Sequence, residues 1–173
     1  MNLYRGFVYL TLLLCVGCVK TANIPPADLV LSSFELGPNN LFTVKFTSTV
    51  DLVNAFNDFE NSNQLTPTLT CSLDGDMDFS SEHSINIKAE GLVNAISQTR
   101  PNYTFTSQLV FYNTRPDGSQ FDLNDYEAVR PLLANKALIP CKVRITAYGY
   151  KTYYTKSLII PTAKMREQIF KKP

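Results

Sequence analysis

Apolar and polar residues alternate along most of this chain with the period of a β-strand. The clearest case is 41–48, where Phe42, Val44 and Phe46 share one parity and Thr43, Lys45 and Thr47 the other. Such a strand has one face on a core and one in water. Asp28 to Leu36 carries Leu29 and Leu31 on one parity, then Phe34 and Leu36 on the other. A bulge is therefore expected near Ser32 and Ser33. Gly37-Pro38-Asn39-Asn40 between the two stretches is turn chemistry, so they should form a hairpin. Leu69, Cys71 and Leu73 form a further alternating face, and Ile85, Ile87 and Ala89 another. Asp74-Gly75 is a favoured hairpin turn pair. Gly91 should end its strand, with Leu92 to Gln98 a single helical turn. Tyr103 to Asn113 is the longest strand and is apolar on both faces, which predicts a place inside a sheet. Arg115-Pro116-Asp117-Gly118 is a turn. The last hairpin runs from Pro140 to Ile160. Cys141, Val143, Ile145 and Ala147 share a face, Tyr148-Gly149-Tyr150-Lys151 turns the chain, and Tyr154 to Ile160 returns.

Three stretches change period. From Val50 to Phe59, Leu52, Val53, Phe56 and Phe59 fall on one helical face behind a cap at Ser48 to Asp51. Asp125 to Arg130 reads as a short helix capped by Asn124, with Pro131 expected to kink or end it. Thr162 opens a C-terminal helix with Met165, Ile169 and Phe170 on one side. About seven hairpin-connected strands with two or three short helices predict a mainly β fold, an antiparallel two-sheet sandwich.

One stretch stands outside this pattern. After Arg5, Phe7 to Val16 is continuously apolar but for Thr11. That is the length of a secretory h-region and short of the ~20 apolar residues that span a bilayer. It ends in Val16-Gly17-Cys18. The segment resembles a bacterial lipoprotein signal, with Cys15 where leucine is commonest. The resemblance implies cleavage before Cys18 and lipidation of Cys18, and so a membrane partner reached through the lipid. The residues alone also fit an ordinary cleaved signal peptide, with Cys18 a free or paired thiol. Val19 follows the cysteine. In enteric lipoproteins an aspartate there favours the inner membrane, so the outer membrane is favoured here. The expected organisation is a signal peptide at 1–17, a lipidated cysteine and tether at 18–27 extended by Ile24-Pro25-Pro26, and one β-sandwich domain at 28–173.

Composition narrows this picture. Hydrophobic residues make up 45% and charged residues 18% of the 173, which is globular rather than disordered. Basic residues number 16 and acidic 15. Loss of Arg5 with the signal brings 16 − 1 = 15 against 15, so nothing points to nucleic acid. Of the four cysteines, Cys15 and Cys18 fall in the signal. Cys71 and Cys141 remain, both on core-facing parity. An exported compartment permits a disulfide between them, the alternative being two buried thiols that never meet. Such a bridge, placed across the sheets, resembles the immunoglobulin arrangement without its tryptophan. Val143 to Lys151 with Leu158-Ile159-Ile160 resembles the strand, Ala-x-Gly-Tyr, strand ending of transthyretin-like modules such as carboxypeptidase regulatory domains. That resemblance implies a non-catalytic binding or structural role.

Two clusters carry candidate chemistry. Asp74, Asp76 and Asp78, with Glu82 and His83 beyond, are weak candidates for a hard cation. The EF-hand spacing fails, because Phe79 stands where glycine is needed and Ile85 where a carboxylate belongs. His83 is the only histidine, and neither a metal nor another cofactor is expected. Tyr148, Tyr150, Tyr153 and Tyr154, with Lys142 and Arg144 nearby, form the candidate binding face. The expected function is a non-catalytic envelope lipoprotein that binds or scaffolds another envelope protein. The alternatives are a subunit of a secretion or envelope machine and a metal-dependent envelope enzyme.

Overall fold

The opening hairpin pairs β1 (Leu29–Leu36) with β2 (Phe42–Ser48). Their register slips between Leu31 and Ser33, where the apolar parity changes. The computed structural model describes residues 19–37, 41–99, 101–123 and 126–170. The expected signal, Cys18, residues 38–40 of the first turn, and the Asn124–Asp125 helix start lie outside the described residues.

After β2 the chain turns at Asp51, whose carboxylate accepts the amide of Val53 and the side-chain amide of Asn54. The helix expected over Val50 to Phe59 is shorter, α1 (Ala55–Glu60). The Asp51 turn uses the residues that would have been its first turn. Then come β3 (Thr68–Ser72), β4 (Ile87–Ser97), β5 (Tyr103–Thr114) and β6 (Gln120–Asp122). Next are α2 (Tyr126–Ala134), β7 (Leu138–Ile145), β8 (Tyr153–Tyr154), β9 (Leu158–Pro161) and α3 (Thr162–Phe170).

The mainly β, antiparallel class expected from the sequence is the class observed, with three short helices among the described residues. Hydrogen bonding joins the nine strands of the described residues in one continuous sheet, in the order β1-β2-β5-β4-β3-β7 with β8 and β9 on the outer edge of β7 and β6 on β5. The sheet bends until β1 lies against β9. Inward residues of β1 to β5, β7 and β9 thereby share one core. β5 is an interior strand, as its length and two apolar faces predict.

Several elements differ from expectation. Asp74-Gly75 does not close a tight hairpin: Gly75 turns at φ +87° into a loop over 73–86 before β4 returns. β4 does not stop at Gly91 but runs to Ser97, so Leu92 to Gln98 is not a helical turn. A Cβ at Gly91 would lie 2.0 Å from the Gln108 carbonyl oxygen. Glycine is there to let β4 approach β5, not to break the strand. Pro131 lies inside α2 rather than ending it. It removes an amide donor, while buried Val129 and Leu133 hold the helix on the core.

Segment 19–28 is extended, but it is not a loose tether. Ile24 and Ala27 are buried. The Lys20 amide donates to the Gly149 carbonyl at 2.9 Å, and the Lys151 amide to the Lys20 carbonyl at 2.7 Å. The Tyr153 hydroxyl accepts from the Ala27 amide and donates to the Pro25 carbonyl, each at 2.9 Å. Lys156 pairs with Asp28 at 2.8 Å.

Candidate functional site

The candidate site lies on the outer face of β3, β4 and β7. β7 alternates strictly here. Cys141, Val143 and Ile145 are buried, while Lys142 and Arg144 point outward. On β3 the outward residues Thr70 and Ser72 are buried too, because loop 73–86 lies across them. That loop is anchored by its own apolar side chains, Phe79 and Ile85, both nearly covered. Lys142 places its ammonium 5.6 Å from the centre of the Phe79 ring, within cation–π range.

Loop 73–86 is shaped by its aspartates. Asp74 accepts the amide of Asp76, Asp76 that of Asp78, and Asp78 that of Ser80. These are successive Asx turns, in which each side chain replaces a backbone acceptor. Asp74 also accepts the Ser72 hydroxyl at 2.7 Å. Its carbonyl is capped by the Lys136 ammonium. His83 Nε2 lies 2.5 Å from Asp76. Asp76 is held below its ordinary range chiefly by the Asp78 amide and then by His83, and His83 is raised by its bond to Asp76. The three carboxylates are therefore taken up by local amides and do not converge. Among the described residues no group of His, Cys, Asp and Glu could hold a metal ion.

Between the loop and the sheet is a groove of about 300 Å³, walled by Phe79 to Ile85 on one side and by Thr70, Lys88, Glu90, Lys142, Arg144 and Tyr154 on the other. A second hollow of about 760 Å³ continues past Lys142 and Tyr154 to Tyr150, Lys151 and Val19. Lys88 is paired with Glu90 at 3.1 Å, and Glu90 also accepts the Thr70 hydroxyl at 2.9 Å. Lys142 and Arg144 have no carboxylate partner among the described residues. Burial raises the Tyr154 phenol above its ordinary value, so its hydroxyl is a donor at neutral pH. Two unpaired cations on β7 and a phenol on the adjoining β8, where Tyr154 is the cross-strand partner of Arg144, suit an anionic group, and the Phe79 ring beside them suits an apolar one.

The tyrosine cluster does not act as one face. Tyr154 lines both hollows and Tyr150 only the second. Tyr150 stands edge-on to Phe56 at 5.3 Å. Tyr153 fastens segment 19–28 and is structural. Tyr148 is 99% exposed at the tip of the last turn. Thr70, Lys88, Glu90 and Phe79 also line the groove, and none of them is among the binding residues expected from the sequence. Phe79 and Ile85 were the available signal, two large apolar residues in a run of aspartate and serine.

Cys71 and Cys141 form a disulfide. It does not cross between sheets. The two residues are direct partners on neighbouring strands β3 and β7, with Cα atoms 3.9 Å apart. The β3–β7 ladder ends at this pair, since the next residue of β7 is Pro140, which has no amide proton.

No protein family, no curated protein and no solved structure matches this chain.

Proposed function

We propose that this chain is a non-catalytic lipoprotein of the bacterial cell envelope, acylated at Cys18 and favouring the outer membrane, whose β domain binds another envelope component. The observation that carries the reading is the run Phe7 to Val16 closed by Val16-Gly17-Cys18, which sets a cysteine directly before the folded body at Val19. The groove of Lys142, Arg144 and Tyr154 supports a binding role, because it offers cations and a phenol but holds its only histidine in a bond to Asp76. No serine or cysteine side chain is bonded to that histidine among the described residues. A subunit of a secretion or envelope machine is the narrower form of this reading, with the groove taking an acidic segment of a neighbouring subunit.

Palmitate labelling and intact mass in a bacterial host test the anchor. Wild-type protein should carry acyl chains that Cys18→Ser abolishes, and unmodified wild-type protein refutes the anchor. Crosslinked pull-down from membranes tests the binding role. The partner captured by wild type should be lost from the Lys142→Glu, Arg144→Glu double variant, and capture unchanged by that reversal removes the groove from the reading.

A further inference from the structure

The expected tether is absent as a tether, and this bears on how the body sits at a membrane. Segment 19–28 is bonded to the last hairpin from its second residue onward, through Lys20 to Gly149 and Lys151 and through Pro25 and Ala27 to Tyr153. Successive Cα atoms are about 3.8 Å apart, so a lipid on Cys18 enters the bilayer within a few ångströms of Val19. Nothing between Val19 and the body can lengthen that link while these bonds hold.

The surface around this point has the character of an interface with lipid. Tyr148 at the tip of the adjoining turn is 99% exposed, and Val19 is 55% exposed. Leu65, 70% exposed, is joined to the same turn, its amide donating to Thr146 and its neighbour Gln64 bridging to Ala147. Lys20 and Lys151 flank the turn, both exposed and neither ion-paired among the described residues. The acidic Glu60 nearby accepts the Asn23 amide. An exposed aromatic, aliphatic side chains and unpaired lysines around one point match the headgroup region, where aromatic rings and lysine stems both settle.

We infer that the turn of Tyr148 to Lys151, with Val19, Lys20 and Leu65, rests on the bilayer surface and holds the domain in one orientation. This rests on the lipid anchor proposed above. The register of the strands fixes what points away. The end of β7, the starts of β3 and β5 and the end of β4 lie at the membrane end. The Arg115–Ser119 turn and Phe121 lie at the opposite end. The hollow that reaches Val19, Tyr150 and Lys151 then opens beside the headgroups, and the groove runs from Arg144 at that end outward past Lys142 to Lys88.

The chain has no tryptophan, so one introduced ring is a sole reporter. Full-length Tyr148→Trp and Phe121→Trp proteins, acylated in a bacterial host, would be placed in vesicles of phosphatidylethanolamine and phosphatidylglycerol with brominated acyl chains. Intact mass is measured on the same samples. Tyr148→Trp should be quenched severalfold more than Phe121→Trp and should emit further to the blue. Acylated protein in which the two sites quench alike, or neither quenches, overturns the fixed orientation and leaves the anchor standing. Protein without acyl chains overturns both.

Discussion

Loop 73–86 owes its shape to single residues. Each aspartate of the run accepts an amide two positions on, and one ion pair, Asp76 with His83, joins the near part of the loop to the far part. Both partners keep about a third of their side chains exposed, 31% and 38%, so solvent screens the pair. The pH dependence still has a definite sign. His83 is raised above 6.5 by Asp76. Its contribution is complete below 6.5 and lost as pH rises through the raised value. Asp76 is lowered below 3.8. Its contribution is present above 3.8 and lost as pH falls through the lowered value. The pair therefore closes the loop best between those limits. An NMR titration of the His83 ring should give a midpoint above 6.5 that moves down in Asp76→Asn, and amide protection in 76–84, relative to the intrinsic exchange rate at each pH, should fall above the wild-type midpoint. A wild-type midpoint at or below 6.5 would show that the pair does not form in solution.

At the scale of elements, the instructive case is β4. By composition Gly91 looks like a strand end, and the residues after it have no clean alternation. Only the neighbouring strand explains it, since the space for a side chain is filled by the backbone at Gln108. Gly91→Ala must push β4 from β5 and should destabilise the domain by about 2 kcal/mol, roughly 5 °C in melting temperature for a chain of this size. Calorimetry checks this, and an unchanged midpoint would mean that the strands do not approach so closely. The contrast shows what was legible. Features set within one strand or turn could be read directly: the slip between Leu31 and Ser33, the alternation of Phe42, Val44 and Phe46, and the turn at Gly118. Features set by another part of the chain could not. The docking of Ile24 and Ala27, the continuation of β4 past Gly91, and the cover of Thr70 by Phe79 each depend on a partner distant in sequence. The candidate site divides in the same way. Lys142 and Arg144 are outward by parity alone, whereas Tyr153 turned from binding residue to fastener because segment 19–28 lies under its hydroxyl.

For the whole molecule, the Cys71–Cys141 bridge joins residues 70 apart in sequence, and between them lie β4, β5, β6 and α2. In the folded sheet the bridge adds little alignment, because β3 and β7 are already paired there. Its effect falls on the unfolded chain, where it closes a loop of that length and removes conformations worth roughly 4 kcal/mol in the chain-entropy account. Both cysteines are fully buried, so a reductant reaches the bridge only when the domain opens. Two results follow. Mild thiol reductant under native conditions should leave the bridge intact, while the same reductant in denaturant should release two thiols. The reduced chain should then unfold at markedly lower denaturant, by an amount equivalent to about 4 kcal/mol, with its transition slope altered because the reduced unfolded state exposes more surface. Thiol counting against folded and unfolded exported protein makes the measurement. Two free thiols in the oxidised, unfolded protein would overturn the bridge itself. An unchanged midpoint after reduction would show instead that the strand ladder alone carries the stability assigned to it.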